Sequence, residues 1–297
     1  MKKILVTGGA GFIGSHVVDY LLSKENEVTV LDDLSGGLQE NIHPSARFIK
    51  GSITNPSTVE DAIKGQEIIY HFAAYAAEGL SHNIRKFNYT NNLIGSINII
   101  NAAIKHNIEK LVFTSSIAVY GSGKNSPPPF KEDQTPFPED PYGIAKLAVE
   151  QDLAAAHQTH NLNYVILRPY NVYGERQFLG DPYRNVLGIF MNNIMKGKPP
   201  CIFGDGKQKR AFSYIGDVAP CIAESAFIEK ANGQTINLGA SRTYSVNTLA
   251  QVVIDAMGVS MKPEHLPPRF EVKYAWCDNT KAKKILGYQE NTSLSME

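Results

Sequence analysis

Ile4-Leu5-Val6-Thr7-Gly8-Gly9-Ala10-Gly11-Phe12-Ile13-Gly14 opens the chain with a short β-prone run that passes directly into glycines at positions 8, 11 and 14. From Ile13 to Leu22 the apolar residues fall at helical spacing. A strand, a glycine turn and a helix in that order form a phosphate-binding unit. The glycines allow a tight turn, close approach of backbone to a pyrophosphate, and close packing of helix on strand. The helix N-terminus then offers unbonded N–H groups and the positive end of its dipole.

Further runs with strand character follow at Glu27 to Leu31, Arg47 to Lys50, Glu67 to Phe72, Lys110 to Thr114 and Asn163 to Leu167. Between them, Asn88 to Ile104 and Tyr142 to Ala156 carry helical periodicity. Strands alternating with helices predict an α/β fold, a doubly wound parallel sheet of the Rossmann type with helices on both faces. The helix at Tyr142 has a clear start. Asp140 can cap it, and Pro141 takes the first helical position, where proline is tolerated.

After Arg168 the texture changes, because Pro169, Pro182, Pro199, Pro200, Pro263, Pro267 and Pro268 interrupt shorter elements. The reading is a dinucleotide-binding domain over residues 1–172, with part of 212–242 returning to it, and a smaller substrate lobe over 173–297. Nothing resembling a linker separates them, so the lobe is expected to grow from the sheet. Ser293 to Glu297 show no closing helix, which leaves a lobe that is either short or cut.

Composition narrows the classes of function. Lysine plus arginine and aspartate plus glutamate total 29 each, so no net field draws the chain to nucleic acid or an anionic membrane. The apolar stretch after Met1-Lys2-Lys3 breaks at Thr7-Gly8-Gly9, too soon for a signal peptide. No apolar run approaches the ~18 residues of a membrane span. Cys201, Cys221 and Cys277 are widely spaced, without metal-ligand neighbours, and read as buried free thiols in a reducing cytoplasm; no metal is expected.

Asp32 ends the second strand, 18 residues past Gly14, where an acid can bind a ribose 2′-hydroxyl. Asp33 follows it, and no arginine appears before Arg47, so the pair disfavours a 2′-phosphate and points to NAD over NADP. An ordinary turn aspartate would occupy the same place. Tyr142 and Lys146 lie four residues apart, on one helix face. A phenol with a pKa near ~10 is a poor base unless a cation stabilises its phenolate, and Lys146 can supply that charge. Tyr-x-x-x-Lys by itself also suits any solvated helix. Ser115-Ser116 ends the strand Lys110 to Thr114, at the carboxyl edge where such sheets bind ligands, and Ser116 can hydrogen-bond the oxygen whose proton Tyr142 removes. A serine nucleophile is a poorer reading, since no Gly-x-Ser-x-Gly elbow is present.

In combination these residues resemble the extended short-chain dehydrogenase/reductase family, and within it the nucleotide-sugar epimerases of the UDP-glucose 4-epimerase type. The likeness runs through Thr7 to Gly14, Leu31 to Ser35, His71-Phe72-Ala73-Ala74, Asn91 to Gly95, Ser115 to Gly121, Tyr142 to Lys146, and Leu167-Arg168-Pro169-Tyr170-Asn171-Val172-Tyr173-Gly174. It implies Ser116, Tyr142 and Lys146 as the catalytic set, with Lys146 also holding the nicotinamide ribose. It implies NAD contacts from Gly8, Gly11, Phe12, Ile13, Gly14, Asp32, Asp33, Ser35, Gly36, Ser52, Ile53, Phe72, Ala73, Ala74, Asn91, Ser115 and Pro169. Asn171, Asn185, Ile202, Phe203, Arg210, Arg269 and Glu271 would hold a UDP-hexose, whose diphosphate suits bidentate arginine forks. A homodimer pairing the helices Asn88 to Ile104 and Tyr142 to Ala156 is also implied, although their own sheet can equally cover those faces.

Several positions depart from the family pattern. Ser52 stands where the family has an aspartate near the adenine, and Ile117-Ala118 stand where sugar 4,6-dehydratases carry an Asp-Glu pair, which argues against dehydration. Tyr75-Ala76-Ala77-Glu78-Gly79 is unusual and is expected to shape sugar specificity. Small Ala275, placed where members rejecting N-acetyl sugars are bulky, keeps UDP-N-acetylhexosamines open beside UDP-glucose and UDP-galactose. The rivals are a UDP-glucuronate epimerase, a nucleotide-sugar reductase or decarboxylase, and a non-catalytic NAD-sensing protein.

Overall fold

The computed structural model describes residues 1–124, 126–181, 183–268, 272 and 274–294. Its centre is a sheet of seven parallel strands: β1 (Lys3–Thr7), β2 (Glu27–Asp32), β3 (Arg47–Lys50), β4 (Ile68–His71), β5 (Lys110–Thr114), β6 (Tyr164–Pro169) and β7 (Gln234–Leu238). Their order is β7-β6-β5-β4-β1-β2-β3, so the chain winds outward in one direction from β1 and in the other from β4. This is the doubly wound α/β fold that the alternation of strands and helices predicts.

The strands read as continuous apolar runs because both faces are covered. Ile4, Val6, Val28, Val30, Val165 and Leu167 turn to one face and pack with the helices Phe12–Ser23 and Ile215–Ser225. Leu5, Leu31, Ile69, Leu111, Phe113 and Ile166 turn to the other, against Pro56–Ile63, Gly95–Lys105 and Pro141–His160. Each fully buried Ile, Leu or Val contributes about 1.5–3 kcal/mol relative to an exposed one.

The helix Pro141–His160 begins as its sequence requires. Gly143 N–H donates to Asp140 Oδ1 at 2.9 Å, and Asn161 closes the helix in the left-handed region at φ 56. The expected helix over Asn88 to Ile104 is less regular. It starts at Arg85–Tyr89, widens into a π turn over Thr90–Ile94 and continues as Gly95–Lys105. The π turn leaves Asn92 facing the segment after β4, where its amide accepts from Tyr75 N–H (2.7 Å) and donates to Tyr75 C=O (3.0 Å). Apolar periodicity does not reveal such a turn.

Beyond β6 the pieces are small. Val172–Tyr173 pairs with Ser213–Tyr214, Cys201–Phe203 pairs with Glu264–Leu266, and Lys209–Ala211 is flanked by Thr243–Ser245 and Tyr274–Ala275. The helices Val186–Met195 and Val246–Ala256 pack on them around Phe190, Phe212 and Leu249. A helix at Thr280–Leu286, which the sequence reading does not contain, covers the β7 side through Ala282 and Leu286. Of the cysteines, Cys277 is buried, while Cys201 and Cys221 are half-buried and not fully enclosed as expected.

Candidate active site

The order of the sheet reverses between β1 and β4, and a crevice opens outside their carboxyl ends. It extends into the small strands of the second region as one cleft of about 1190 Å³. Single-ligand pockets run to about 1,000 Å³, so this cleft has room for two sizeable ligands end to end.

At the sheet end the cleft is built of backbone. Gly8 has φ 74, and a Cβ there would lie 2.7 Å from Ala73 N. A Cβ on Gly14 would lie 2.3 Å from Gly8 C=O, so neither position tolerates a side chain. The helix Phe12–Ser23 starts at Gly11 without a side-chain cap, leaving its first N–H groups directed at the cleft. Asp32 is buried, and its Oδ2 accepts from Ala10 N–H (3.0 Å) while Oδ1 accepts from Leu34 N–H (2.8 Å). Burial raises its carboxyl pKa against those two hydrogen bonds. Asp32 therefore ties the glycine turn to the end of β2 and also lines the cleft; exposed Asp33 stands beside it. A cradle that any Cβ would fill, bare helix N–H groups and a carboxylate at the end of β2 together fit the pyrophosphate and ribose of NAD.

The middle of the cleft joins Ser116, Tyr142 and Lys146. Ser116 Oγ accepts from Ala118 N–H at 3.1 Å and caps the turn Ile117–Tyr120. Burial pushes the Tyr142 phenol pKa up, its hydrogen bond with Ser116 draws it down, the carboxylates of Glu78 and Asp140 push it up, and Arg184 opposes them. The Lys146 ammonium donates to Thr114 C=O at 2.8 Å and stands 5.8 Å from the centre of the Tyr142 ring. Burial lowers it to about 7, with Glu150 acting in the opposite sense. Lys146 is bound to backbone, and burial sets the phenol's affinity for its proton.

Below these residues lies a buried ionic network. Glu150, one turn beyond Lys146, accepts from Ser115 Oγ and from both Arg168 Nε (2.9 Å) and an Arg168 terminal nitrogen. Arg168 also donates to Tyr120 Oη at 2.6 Å, and Tyr120 donates to Asn237 at 2.9 Å. The network fastens the ends of β5, β6 and β7 to the helix carrying Tyr142. Removing one partner from such a buried pair costs about 3–5 kcal/mol.

At the far end of the cleft, Asn171, Asn185, Ile202, Phe203 and Arg210 line the wall. Asn171 donates to Ala211 C=O at 2.9 Å; Asn185 caps the helix Val186–Met195 through Leu187 N–H and donates to Val172 C=O at 2.8 Å. Arg210 donates to Lys209 C=O at 2.9 Å and to Val272 C=O. Ser35, Gly36, Ser52, Ile53, Phe72, Ala73, Ala74, Asn91, Ser115 and Pro169 border the cleft as well. Arg269 and Glu271 lie outside the described residues.

Further residues line the cleft beyond the expected binding set: Tyr75, Glu78 and Gly79 after β4, and Gln177, Phe178, Tyr183 and Arg184 before the helix Val186–Met195. Arg184 pairs with Asp181 at 3.1 Å and sits 5.6 Å over the Tyr75 ring. Glu78 is reached by solvent through the cleft, while the protein around it raises its carboxyl to about 7, with Asp140 adding to the rise and Arg210 opposing it. The unusual spelling of 75–79 was the one signal for the first group; the second carried none.

A doubly wound sheet with a backbone phosphate cradle at its switch point and a Tyr–Lys helix beside it defines a dinucleotide-dependent enzyme. The model of the NAD dependent epimerase/dehydratase family matches residues 4–239, and the chain belongs to that family. Among solved structures, it is similar to a UDP-glucose 4-epimerase of Thermotoga maritima with UDP-glucose, at 36% identity and TM-score 0.93, covering 98% of this chain and 94% of that one. A UDP-N-acetylglucosamine 4-epimerase of Methanobrevibacter ruminantium in complex with UDP-N-acetylmuramic acid matches at 33% identity and TM-score 0.91, covering 98% and 93%. A UDP-glucuronic acid 4-epimerase of Bacillus cereus in complex with UDP-glucuronic acid and NAD matches at 29% identity and TM-score 0.90, covering 99% and 95%. The chain is thus an NAD-dependent enzyme of the nucleotide-sugar epimerase/dehydratase family. No described helix is long and apolar enough to cross a membrane.

Proposed function

We propose that the protein interconverts UDP-glucose and UDP-galactose by transient oxidation at C4, and accepts UDP-N-acetylglucosamine as a second substrate. The observation that carries this reading is the position of Ser116, Tyr142 and Lys146 between the glycine cradle and the wall bearing Asn185, Phe203 and Arg210, in one continuous cleft. The reacting sugar would lie where both ligands meet.

Gly8, Gly11 and the first N–H groups of the helix Phe12–Ser23 hold the NAD pyrophosphate, and Asp32 meets the adenine ribose. When bound, NAD+ supplies the acceptor, and later the donor, of one hydride. Tyr142 takes the proton of the 4-hydroxyl, and Ser116 hydrogen-bonds the same oxygen. Lys146 adds positive charge under the phenol and orients the nicotinamide ribose. Arg210 and Asn171 anchor the nucleotide while the hexose is held loosely, so the 4-keto sugar can turn and be reduced on its other face. Ile117 and Ala118 offer neither acid nor base for loss of water, which separates this site from a dehydratase. Ala275, beside Arg210 on the cleft wall, leaves room for an N-acetyl group.

Proton NMR of the purified protein with UDP-glucose and no added reductant tests the reaction. Growth of the galactosyl anomeric signal without net NADH is the expected result. Stoichiometric NADH would replace it with a dehydrogenase. We propose also that the chain forms a homodimer through the helical stretches Asn88 to Ile104 and Tyr142 to Ala156, where Ile94 and Ile144 are 53% and 41% exposed. Light scattering reads that directly. Three free thiols suit a reducing cytoplasm.

A further inference from the structure

Glu78 heads a four-residue helix, Glu78–Ser81, in the unusual segment after β4. Its carboxylate has no hydrogen-bond or ion-pair partner among the described residues, and it faces the part of the cleft that holds Tyr142. Besides Lys146, 5.8 Å from the centre of its ring, the charged groups around the Tyr142 phenol are Glu78, Asp140 and Arg184. Asp140 is tied to the start of its helix through Gly143 N–H, and Arg184 is paired with Asp181. Glu78 is thus the acid on this wall that can meet a sugar directly, and its segment is held in place by Asn92 on both backbone groups of Tyr75.

We propose that Glu78 is a specificity-determining residue that excludes hexosyl groups bearing a carboxylate and reserves the site for uncharged ones. This rests on the nucleotide-sugar reading above and narrows its substrate class. A uronate would set a second carboxylate on the same cleft wall as the exposed Glu78, where the two like charges repel. An uncharged hexose instead offers hydroxyls that donate to Glu78. An N-acetyl group, also uncharged, is not excluded by this charge.

The test is kcat/KM for UDP-glucose and UDP-glucuronate on the full chain with NAD, for the wild type, Glu78→Gln and Glu78→Arg. The expected result is a wild type that prefers UDP-glucose. The uronate-to-glucose ratio should then rise about tenfold or more in Glu78→Gln, where one like-charge repulsion is gone, and further in Glu78→Arg. A ratio that stays flat across the series overturns the proposal, as does a wild type that turns over the uronate equally well, and both leave the epimerase reading intact. If the wild type turns over neither sugar, that reading fails instead. Calorimetric affinities for the two UDP-sugars across the same three proteins then decide the role of Glu78. Weaker uronate binding relieved by the substitutions supports it, and equal binding refutes it.

Discussion

The two ends of the cleft are made differently. The proposed cofactor end is built largely of backbone, in the turn Gly8 to Gly14 and the segment after β4, with the Asp32 carboxylate at the end of β2. The proposed substrate end presents the side chains of Asn171, Asn185, Phe203 and Arg210, which three small sheets and two helices bring together. Backbone recognition demands particular glycines and tolerates little else, whereas side-chain recognition can be rewritten one residue at a time. One end therefore reads as a family property, and the other as the place where substrates diverge.

The largest expected effect falls between the two ends. Tyr142→Phe removes the proton acceptor and should lower kcat about 10²- to 10⁴-fold, with NAD content after purification unchanged. If NAD is lost as well, the middle of the cleft belongs structurally to the cofactor end and the division fails. Next comes Arg210→Ala, which removes charge-assisted hydrogen bonds and should raise KM for the nucleotide sugar about 10- to 100-fold, with kcat much less affected. Steady-state kinetics with saturating NAD would show whether that split holds.

Gly8→Ala should act on the other end alone. The added Cβ would meet Ala73 N at 2.7 Å on a left-handed backbone that costs a non-glycine residue about 1–2 kcal/mol, so the cradle must shift and NAD should bind about tenfold more weakly or worse, measured as nucleotide released on denaturation. A variant that keeps its NAD but loses UDP-sugar affinity would reverse the comparison. A further effect concerns the floor between β1 and β4. His71 is buried between Thr7 Oγ1 (2.6 Å) and Ser96 Oγ (2.8 Å), and burial, helped by Lys146, lowers it from 6.5 to about 3. As pH falls below 6.5 the unfolded chain takes up a proton that the folded one refuses. Stability present above pH 6.5 should thus be lost at up to about 1.4 kcal/mol per pH unit until about pH 3. Urea denaturation of His71→Asn across pH 7 to 4 should lack that component of the slope.

Much of the cofactor end was legible. The strands Arg47–Lys50 and Lys110–Thr114 carry the boundaries that their apolar runs suggest, and Asp140 caps its helix as its spacing to Gly143 requires. These features are local, and periodicity or a single turn encodes them. The π turn at Thr90–Ile94 and the helix Thr280–Leu286 were not legible, because both exist to meet a neighbour: Asn92 for Tyr75, and Ala282 and Leu286 for the β7 side of the core. Tyr183 and Arg184 reached the cleft through a loop that has no period to read.

The proton chemistry divides in the same way. Tyr142 and Lys146 share a helix face by spacing alone, and their pairing suggested an activated phenol. The folded chain turns Lys146 to the carbonyl of Thr114 and buries the phenol beside Ser116, within the field of Glu78 and Asp140. By itself the sequence determined the sheet, the glycine cradle and the Tyr142 helix, since each depends on residues within a turn or a strand of one another. Only the tertiary structure decided which charges surround the reacting hydroxyl and which side chains wall the sugar, because those groups lie tens of residues apart and meet only when the sheet and the small strands pack.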